Sequence, residues 1–121
     1  MGLYYKSTRN SNLKVTASEA ILKGLAPDGG LFVPSELPKL DVSMSDLKGK
    51  TYQEIAYLVM KQFLTDFTEE ELKSCIDKAY DSKFDTEEIA PLVKVDDTYY
   101  MELFHGCLLY TSPSPRDGLL S

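Results

Sequence analysis

The chain reads as a small α+β domain in which capped helices surround short strands. Two observations lead there. Threonine precedes glutamate by three residues at Thr16–Glu19, Thr51–Glu54 and Thr68–Glu71, each time at the head of an apolar pattern with helical spacing. In such a capping box the threonine hydroxyl and the glutamate carboxylate each accept one of the backbone N–H groups that the first turn leaves unpaired. Between and after these stretches lie short apolar runs bounded by proline, glycine or paired aspartates, the pattern of short strands.

Taken in order, Tyr4 and Tyr5 begin an extended segment that passes into the polar loop Lys6 to Asn12. The first helix starts at Thr16, draws its apolar stripe from Ile21, Leu22 and Leu25, and has Gly24 available as a left-handed cap. Ala26-Pro27-Asp28-Gly29-Gly30 is a turn, since proline presets one φ and glycine accepts positive φ. The strand Leu31 to Val33 follows, and Pro34 stops it. Ser35 to Lys50 is a connection with one helical turn near Ser45 to Leu47. The second helix, Thr51 to Leu64, is apolar around much of its circumference and is expected to be largely buried. The third helix opens at Thr68 with Glu69, Glu70 and Glu71 where the helix dipole favours carboxylates, and Leu72, Cys75, Ile76, Ala79 and Tyr80 recur on one face. Asp85-Thr86-Glu87-Glu88 predicts a short fourth helix that Pro91 ends. Leu92 to Val95 and Thr98 to Phe104 are two strands of a hairpin turning at Asp96-Asp97.

Composition narrows the function. A chain of 121 residues is one domain or part of one, and a closed core of that size buries about 65% of the unfolded surface. The formal charge of −6 opposes nonspecific binding to nucleic acid or anionic lipid, because both require clustered cations. No run approaches the length of a membrane span, and Met1 to Lys6 lacks the apolar region of a signal peptide. The cytoplasm is the expected compartment. Cys75 reads as a small core residue in a reducing setting. With His105 as the only histidine, no nitrogen and sulfur ligand set for zinc can be assembled.

Residues Cys107 to Ser121 stand apart. They resemble the in-frame translation of a transposase-type sequencing adapter, so the domain is expected to span residues 1–106 and the tail 107–121 to be non-native or disordered. The two Ser-Pro steps of that tail cannot continue a strand ladder.

The chain has neither a G-x-G-x-x-G run nor a Walker A motif, and its carboxylate clusters are explained by capping. Three segments offer chemistry. Lys6-Ser7-Thr8-Arg9 pairs two cations with two hydroxyls, a composition suited to an anionic phosphate as well as to an ordinary exposed loop. Asp28-Gly29-Gly30 allows backbone to approach a ligand closely, or simply turns the chain. Phe104-His105-Gly106 ends a strand with the one imidazole, a structural hydrogen-bonding group or a functional one.

These segments carry a resemblance. Tyr5-Lys6-Ser7-Thr8-Arg9, then Glu19-Ala20-Ile21, then Gly24-Leu25-Ala26-Pro27-Asp28-Gly29-Gly30-Leu31-Phe32-Val33-Pro34, and finally Met101-Glu102-Leu103-Phe104-His105-Gly106 together resemble the N-terminal domain of threonine synthase. The resemblance implies an α/β parent fold of type II that carries pyridoxal phosphate and converts O-phosphohomoserine and water into threonine and phosphate. It implies that this segment is an accessory α+β domain whose partner is the cofactor domain of the same enzyme. By the same resemblance, Ser7, Thr8 and Arg9 are candidate substrate-binding residues, and His105 and Gly106 are candidates for the cofactor. No catalytic or metal residue is assigned.

The chain departs from that family where the chemistry would lie. The family continues Phe-His-Gly-Pro-Thr-x-Ala-Phe-Lys-Asp, and its lysine forms a Schiff base with the cofactor. Counting from Phe104, that lysine falls at Ser112, and Cys107 and Leu108 replace the Pro-Thr pair. A serine hydroxyl forms no imine. The expectation is therefore a fragment inactive alone, with the strand ending at Phe104 and the Thr51 to Leu64 helix exposing apolar surface. The alternative is a small acidic protein-binding module without catalysis.

Overall fold

A computed structural model describes residues 2–106. The tail Cys107 to Ser121, with Ser112 in it, lies outside the described residues. The element order is β1 (Tyr5–Ser7), α1 (Ala17–Lys23), β2 (Phe32–Pro34), a 3₁₀ turn (Met44–Leu47), α2 (Tyr52–Phe63), α3 (Glu69–Ala79), β3 (Leu92–Val95) and β4 (Thr98–Met101). Small antiparallel sheets and three helices make this an α+β arrangement. The chain divides into two compact units, one ending at Ile76 and the other beginning at Asp77.

In the first unit β1 and β2 run antiparallel, with Tyr5 opposite Pro34, Lys6 opposite Val33 and Ser7 opposite Phe32. Tyr5 also exchanges backbone bonds with Val15, its N–H donating at 2.8 Å and its carbonyl accepting at 3.0 Å. The Tyr5 hydroxyl donates to the carbonyl of Phe63 at the end of α2, at 3.0 Å. Thus β1 is held from both sides.

All three threonine boxes form. The N–H of Thr16 donates to Glu19, that of Thr51 to Glu54 and that of Thr68 to Glu71, at 2.9, 2.7 and 2.9 Å, and each glutamate N–H donates back to the threonine hydroxyl. A fourth box sits over the 3₁₀ turn, where the Ser43 N–H donates to Asp46 at 3.2 Å and the Asp46 N–H returns the bond at 3.3 Å. Gly24 closes α1 with φ of +72°, and its N–H donates to the Ala20 carbonyl at 3.0 Å.

The core is small and made mostly of small side chains: Val15, Ala17, Ala20, Ala26, Leu72 and Ile76. Here several expectations are corrected. The cap of α1 turns Ala17 and Ala20 inward, three residues apart, and rotates Leu22 some 200° from Ala20, so Ile21, Leu22 and Leu25 are exposed and Leu22 retains 86% of its surface. In α3 the buried pair is Leu72 and Ile76, four residues apart, which leaves Cys75 about 100° round the helix from Ile76 and exposed. Helix α2 buries no residue fully. Its apolar girth exceeds what this core covers.

In the second unit the predicted fourth helix is absent, and residues 80–90 are bends and turns. The Asp85 carboxylate that would have capped the helix is engaged by His105, and the Asp85 N–H donates to the His105 carbonyl at 3.2 Å. The hairpin pairs Leu92 with Met101, Val93 with Tyr100, Lys94 with Tyr99 and Val95 with Thr98. Its turn begins at Asp96 with φ of +53°, a conformation aspartate tolerates better than most side chains. Strand β4 stops at Met101, three residues before Phe104. The predicted hairpin is otherwise present.

This distribution of burial makes a prediction. Ile76 keeps 2% of its surface, so Ile76→Ala should cost about 2–5 kcal/mol by cavity formation and lost transfer energy, whereas Leu22→Ala should stay within about 0.5 kcal/mol. Urea unfolding of the two variants checks it. Equal shifts of midpoint would contradict the burial assigned to α1 and α3.

Candidate functional site

The end of β1 and the turn ahead of β2 meet through side chains. Ser7 lies on the buried side of β1, at 3% exposure. Its hydroxyl donates to Asp28 Oδ1 at 2.7 Å and accepts from the Arg9 N–H at 3.1 Å. The same Asp28 oxygen accepts from the Gly30 N–H at 2.9 Å. Arg9 Nη1 donates to the Asp28 carbonyl at 3.1 Å, and the Thr8 hydroxyl accepts from the Leu31 N–H at 3.0 Å. The hydrogen bond from Ser7, reinforced by that from Gly30, holds the Asp28 carboxyl below its ordinary range.

The two glycines of the turn are required for different reasons, Gly29 by its backbone conformation and Gly30 by closeness. Gly29 has φ of +78°, and a Cβ there would lie 3.0 Å from Arg9 Nη1. At Gly30 a Cβ would stand 2.3 Å from Ser7 Oγ and 2.9 Å from Thr8 Oγ1. No side chain fits between. The outcome is a tied corner that leaves Thr8 and Arg9 at the surface. Among the described residues no carboxylate oxygen lies within ion-pair distance of Arg9, whose charge nevertheless helps to hold the Asp28 carboxyl below its ordinary range. Chemically this is an exposed guanidinium and a hydroxyl on a fixed backbone, suited to an oxyanion.

The second unit holds the other candidates. His105 Nδ1 faces Asp85 Oδ1, and Nε2 lies 2.8 Å from Glu102 Oε1. The ring, at 12% exposure, also packs in a tilted arrangement against Phe104, with centroids 4.5 Å apart. Chiefly the bond to Glu102, with help from Asp85, raises the imidazole pKa above its ordinary value, because both carboxylates favour the protonated ring. Gly106 is packed against Phe84, whose Cε1 would stand 2.9 Å from a Cβ.

The structure therefore brings Ser7, Thr8 and Arg9 into one corner with Asp28, Gly29 and Gly30, and sets His105 beside Gly106 in a second cluster. Ser7 is internal to its corner, with its hydroxyl committed to Asp28 and Arg9. Sequence reasoning missed three partners: Asp28 as an organising group, and Asp85 and Glu102 as the carboxylates on His105. The Asp-Gly-Gly run carried a signal for the first, since aspartate commonly binds backbone two residues on. Pyridoxal phosphate would need donors for its phosphate and an amine for its aldehyde. Both His105 nitrogens face carboxylates, and residues 95–106 contain no lysine, so this cluster does not itself fit as the anchor of either group.

With this geometry in view, the comparisons with known proteins define the class. The family described as threonine synthase N terminus matches residues 4–80, and the chain belongs to that family. Individual relatives are threonine synthases. The enzyme of Schizosaccharomyces pombe is 41% identical over 106 residues, covering 84% of this chain and 20% of its own length. That of Saccharomyces cerevisiae is 35% identical over 112 residues, covering 84% and 22%. Human threonine synthase-like 1 is 39% identical over 94 residues, covering 74% and 13%. Among solved structures, the chain superimposes on a threonine synthase with bound pyridoxal phosphate from Brucella melitensis with a TM-score of 0.74 and 33% identity, covering 87% of this chain and 23% of that one. The chain thus spans about a fifth of the length of the threonine synthases it matches.

The imidazole lends itself to direct measurement, because it is the only histidine. A raised folded pKa means that the stabilisation from the two carboxylates is complete below the unfolded value of about 6.5 and is lost as pH rises through the folded value. NMR titration of the single ring should give a pKa above that of an unfolded control, and Glu102→Gln should lower it. An unshifted midpoint in the parent chain would contradict the pairing.

Proposed function

We propose that this N-terminal region of a threonine synthase serves an enzyme that converts O-phosphohomoserine and water into threonine and phosphate. The corner of Ser7, Thr8 and Arg9 binds the phosphate of the substrate, Thr8 and Arg9 by contact and Ser7 by fixing the backbone. What carries this reading is the exposed Arg9 guanidinium, tied to the Asp28 carbonyl at 3.1 Å, with the exposed Thr8 beside it on the same corner. A hydrogen bond between charged groups is worth about 1.5–3 kcal/mol. His105 and Gly106 border the pyridoxal phosphate held by the cofactor domain, His105 as a positioning group and Gly106 by close approach of its backbone. When bound, that cofactor would supply the electron sink for the reaction. The residues described here orient and bind.

The domain comprises residues 1–106, residues 107–121 are not native to it, the chain alone is inactive, and the parent enzyme works in the cytoplasm. Ser112 at the position of the family's lysine supports the inactivity, and no helix among the described residues is long and apolar enough to cross a membrane.

Incubated with pyridoxal phosphate and O-phosphohomoserine, the purified 121-residue chain should release no threonine, and borohydride should trap no cofactor adduct at a defined lysine. Turnover would overturn the proposed inactivity. In the intact enzyme, Arg9→Met should raise KM for O-phosphohomoserine by about tenfold or more; an unchanged KM would remove the corner from the substrate site. Resequencing the locus should restore Pro-Thr-x-Ala-Phe-Lys-Asp after Gly106.

A further inference from the structure

We propose that Asp28 is the positioning residue of the anion-binding corner: it holds Thr8 and Arg9 in their presenting geometry through Ser7 and Gly30, without touching the anion itself. The inference rests on the reading of Thr8 and Arg9 as phosphate contacts, and it assigns the work of orienting them to a residue of opposite charge.

The geometry runs outward from one oxygen. Asp28 Oδ1 accepts from Ser7 Oγ at 2.7 Å and from the Gly30 N–H at 2.9 Å. The first bond orients the Ser7 hydroxyl, whose lone pair then accepts from the Arg9 N–H at 3.1 Å. The second works with the backbone bonds from Gly29 to the Ala26 carbonyl and from Ala26 to the Gly30 carbonyl, both 2.9 Å, to hold the turn in which the Asp28 carbonyl meets Arg9 Nη1 at 3.1 Å; the Thr8 N–H, donating to the Leu31 carbonyl at 2.9 Å, sets Leu31 where it donates to Thr8 Oγ1 at 3.0 Å. Both ends of Arg9, backbone and guanidinium, therefore depend on the conformation of residue 28. A carboxylate beside an anion site would ordinarily repel the ligand. Here two hydrogen bonds converge on its Oδ1, and its partner Ser7 is buried at 3% exposure. Asp28 is thus tied back into the turn.

The chain offers few substitutes for this device. Gly30 leaves no room for a side chain to fill the same space, with Ser7 Oγ 2.3 Å from a Cβ built there. Asparagine at 28 would keep an acceptor oxygen but lose the charge that strengthens both bonds. Alanine would lose both.

The test uses the 121-residue chain, with inorganic phosphate as the probe and two independent measurements. Amide hydrogen exchange at Arg9 and Gly30 reads the organisation of the corner, and phosphate titration followed at the Arg9 side-chain N–H signals reads the site. In Asp28→Ala both amides should exchange at least tenfold faster, with Asp28→Asn intermediate, while amides of α2 and α3 are unchanged. Phosphate should bind the parent chain saturably and Asp28→Ala at least tenfold more weakly. Arg9→Met should abolish binding, and adding Asp28→Ala to it should have no further effect, as required of a residue acting through another. Unchanged exchange in Asp28→Ala, or unchanged phosphate affinity where Arg9→Met abolishes it, overturns the positioning role and leaves the anion site standing. Altered exchange without phosphate binding to the parent chain overturns the anion site and, with it, this use of Asp28. If Asp28→Ala does not fold, Ser7→Ala cuts the same link from the other side and should accelerate Arg9 exchange; its failure to do so overturns the proposal.

Discussion

One carboxylate joins two segments that lie 21 residues apart in the chain. Asp28 reaches across to Ser7, and the ends of β1 and the turn before β2 follow from that bond. The antiparallel pair is only three residues long on each strand, too short to be stable unaided, so this bond adds to those that Val15 and Phe63 make with Tyr5. The depressed pKa of Asp28 ties the corner to pH with a definite sign. Its stabilisation is present above the ordinary aspartate value and is lost as pH falls through the lower folded one.

The two clusters use acidic groups in opposite ways. At the corner one oxygen of an exposed carboxylate accepts from two internal donors, with an exposed cation beside it. At the hairpin exit an imidazole lies between two carboxylates, so His105 links Asp85 to Glu102 and the bends of residues 80–90 to the end of β4. Weakening as pH falls belongs to the first cluster, and weakening as pH rises to the second.

How much of this was legible in the sequence follows the range of the forces. The capping boxes at Thr16, Thr51 and Thr68 are local, three residues wide, and all were read correctly. The hairpin was read from Asp96-Asp97 and its flanking apolar runs. Burial was not, because which face of a helix turns inward depends on what lies across from it: alanines rather than Ile21 and Leu22 face inward in α1, and Cys75 is exposed. The missing helix after Asp85 has the same origin. A local cap lost to a partner twenty residues away. For the site, composition singled out Ser7, Thr8, Arg9 and Asp28-Gly29-Gly30 separately, while their joining required the register of β1 on β2. Membership of the threonine synthase family was legible because the Gly24 to Pro34 run and the Phe104-His105-Gly106 ending stand in family order.

The hairpin of β3 and β4 has a further implication. All eight of its residues are exposed, valine, leucine, tyrosine and methionine among them, and each strand pairs only with the other among the described residues. A two-stranded ribbon has two outer rows of backbone N–H and carbonyl groups, and these rows are a template for any other extended chain. Lys94 is the single lysine on either strand to oppose such pairing. At high concentration the ribbon is the place where copies of this chain would zip together edge to edge, which makes the covering of those edges a condition of solubility.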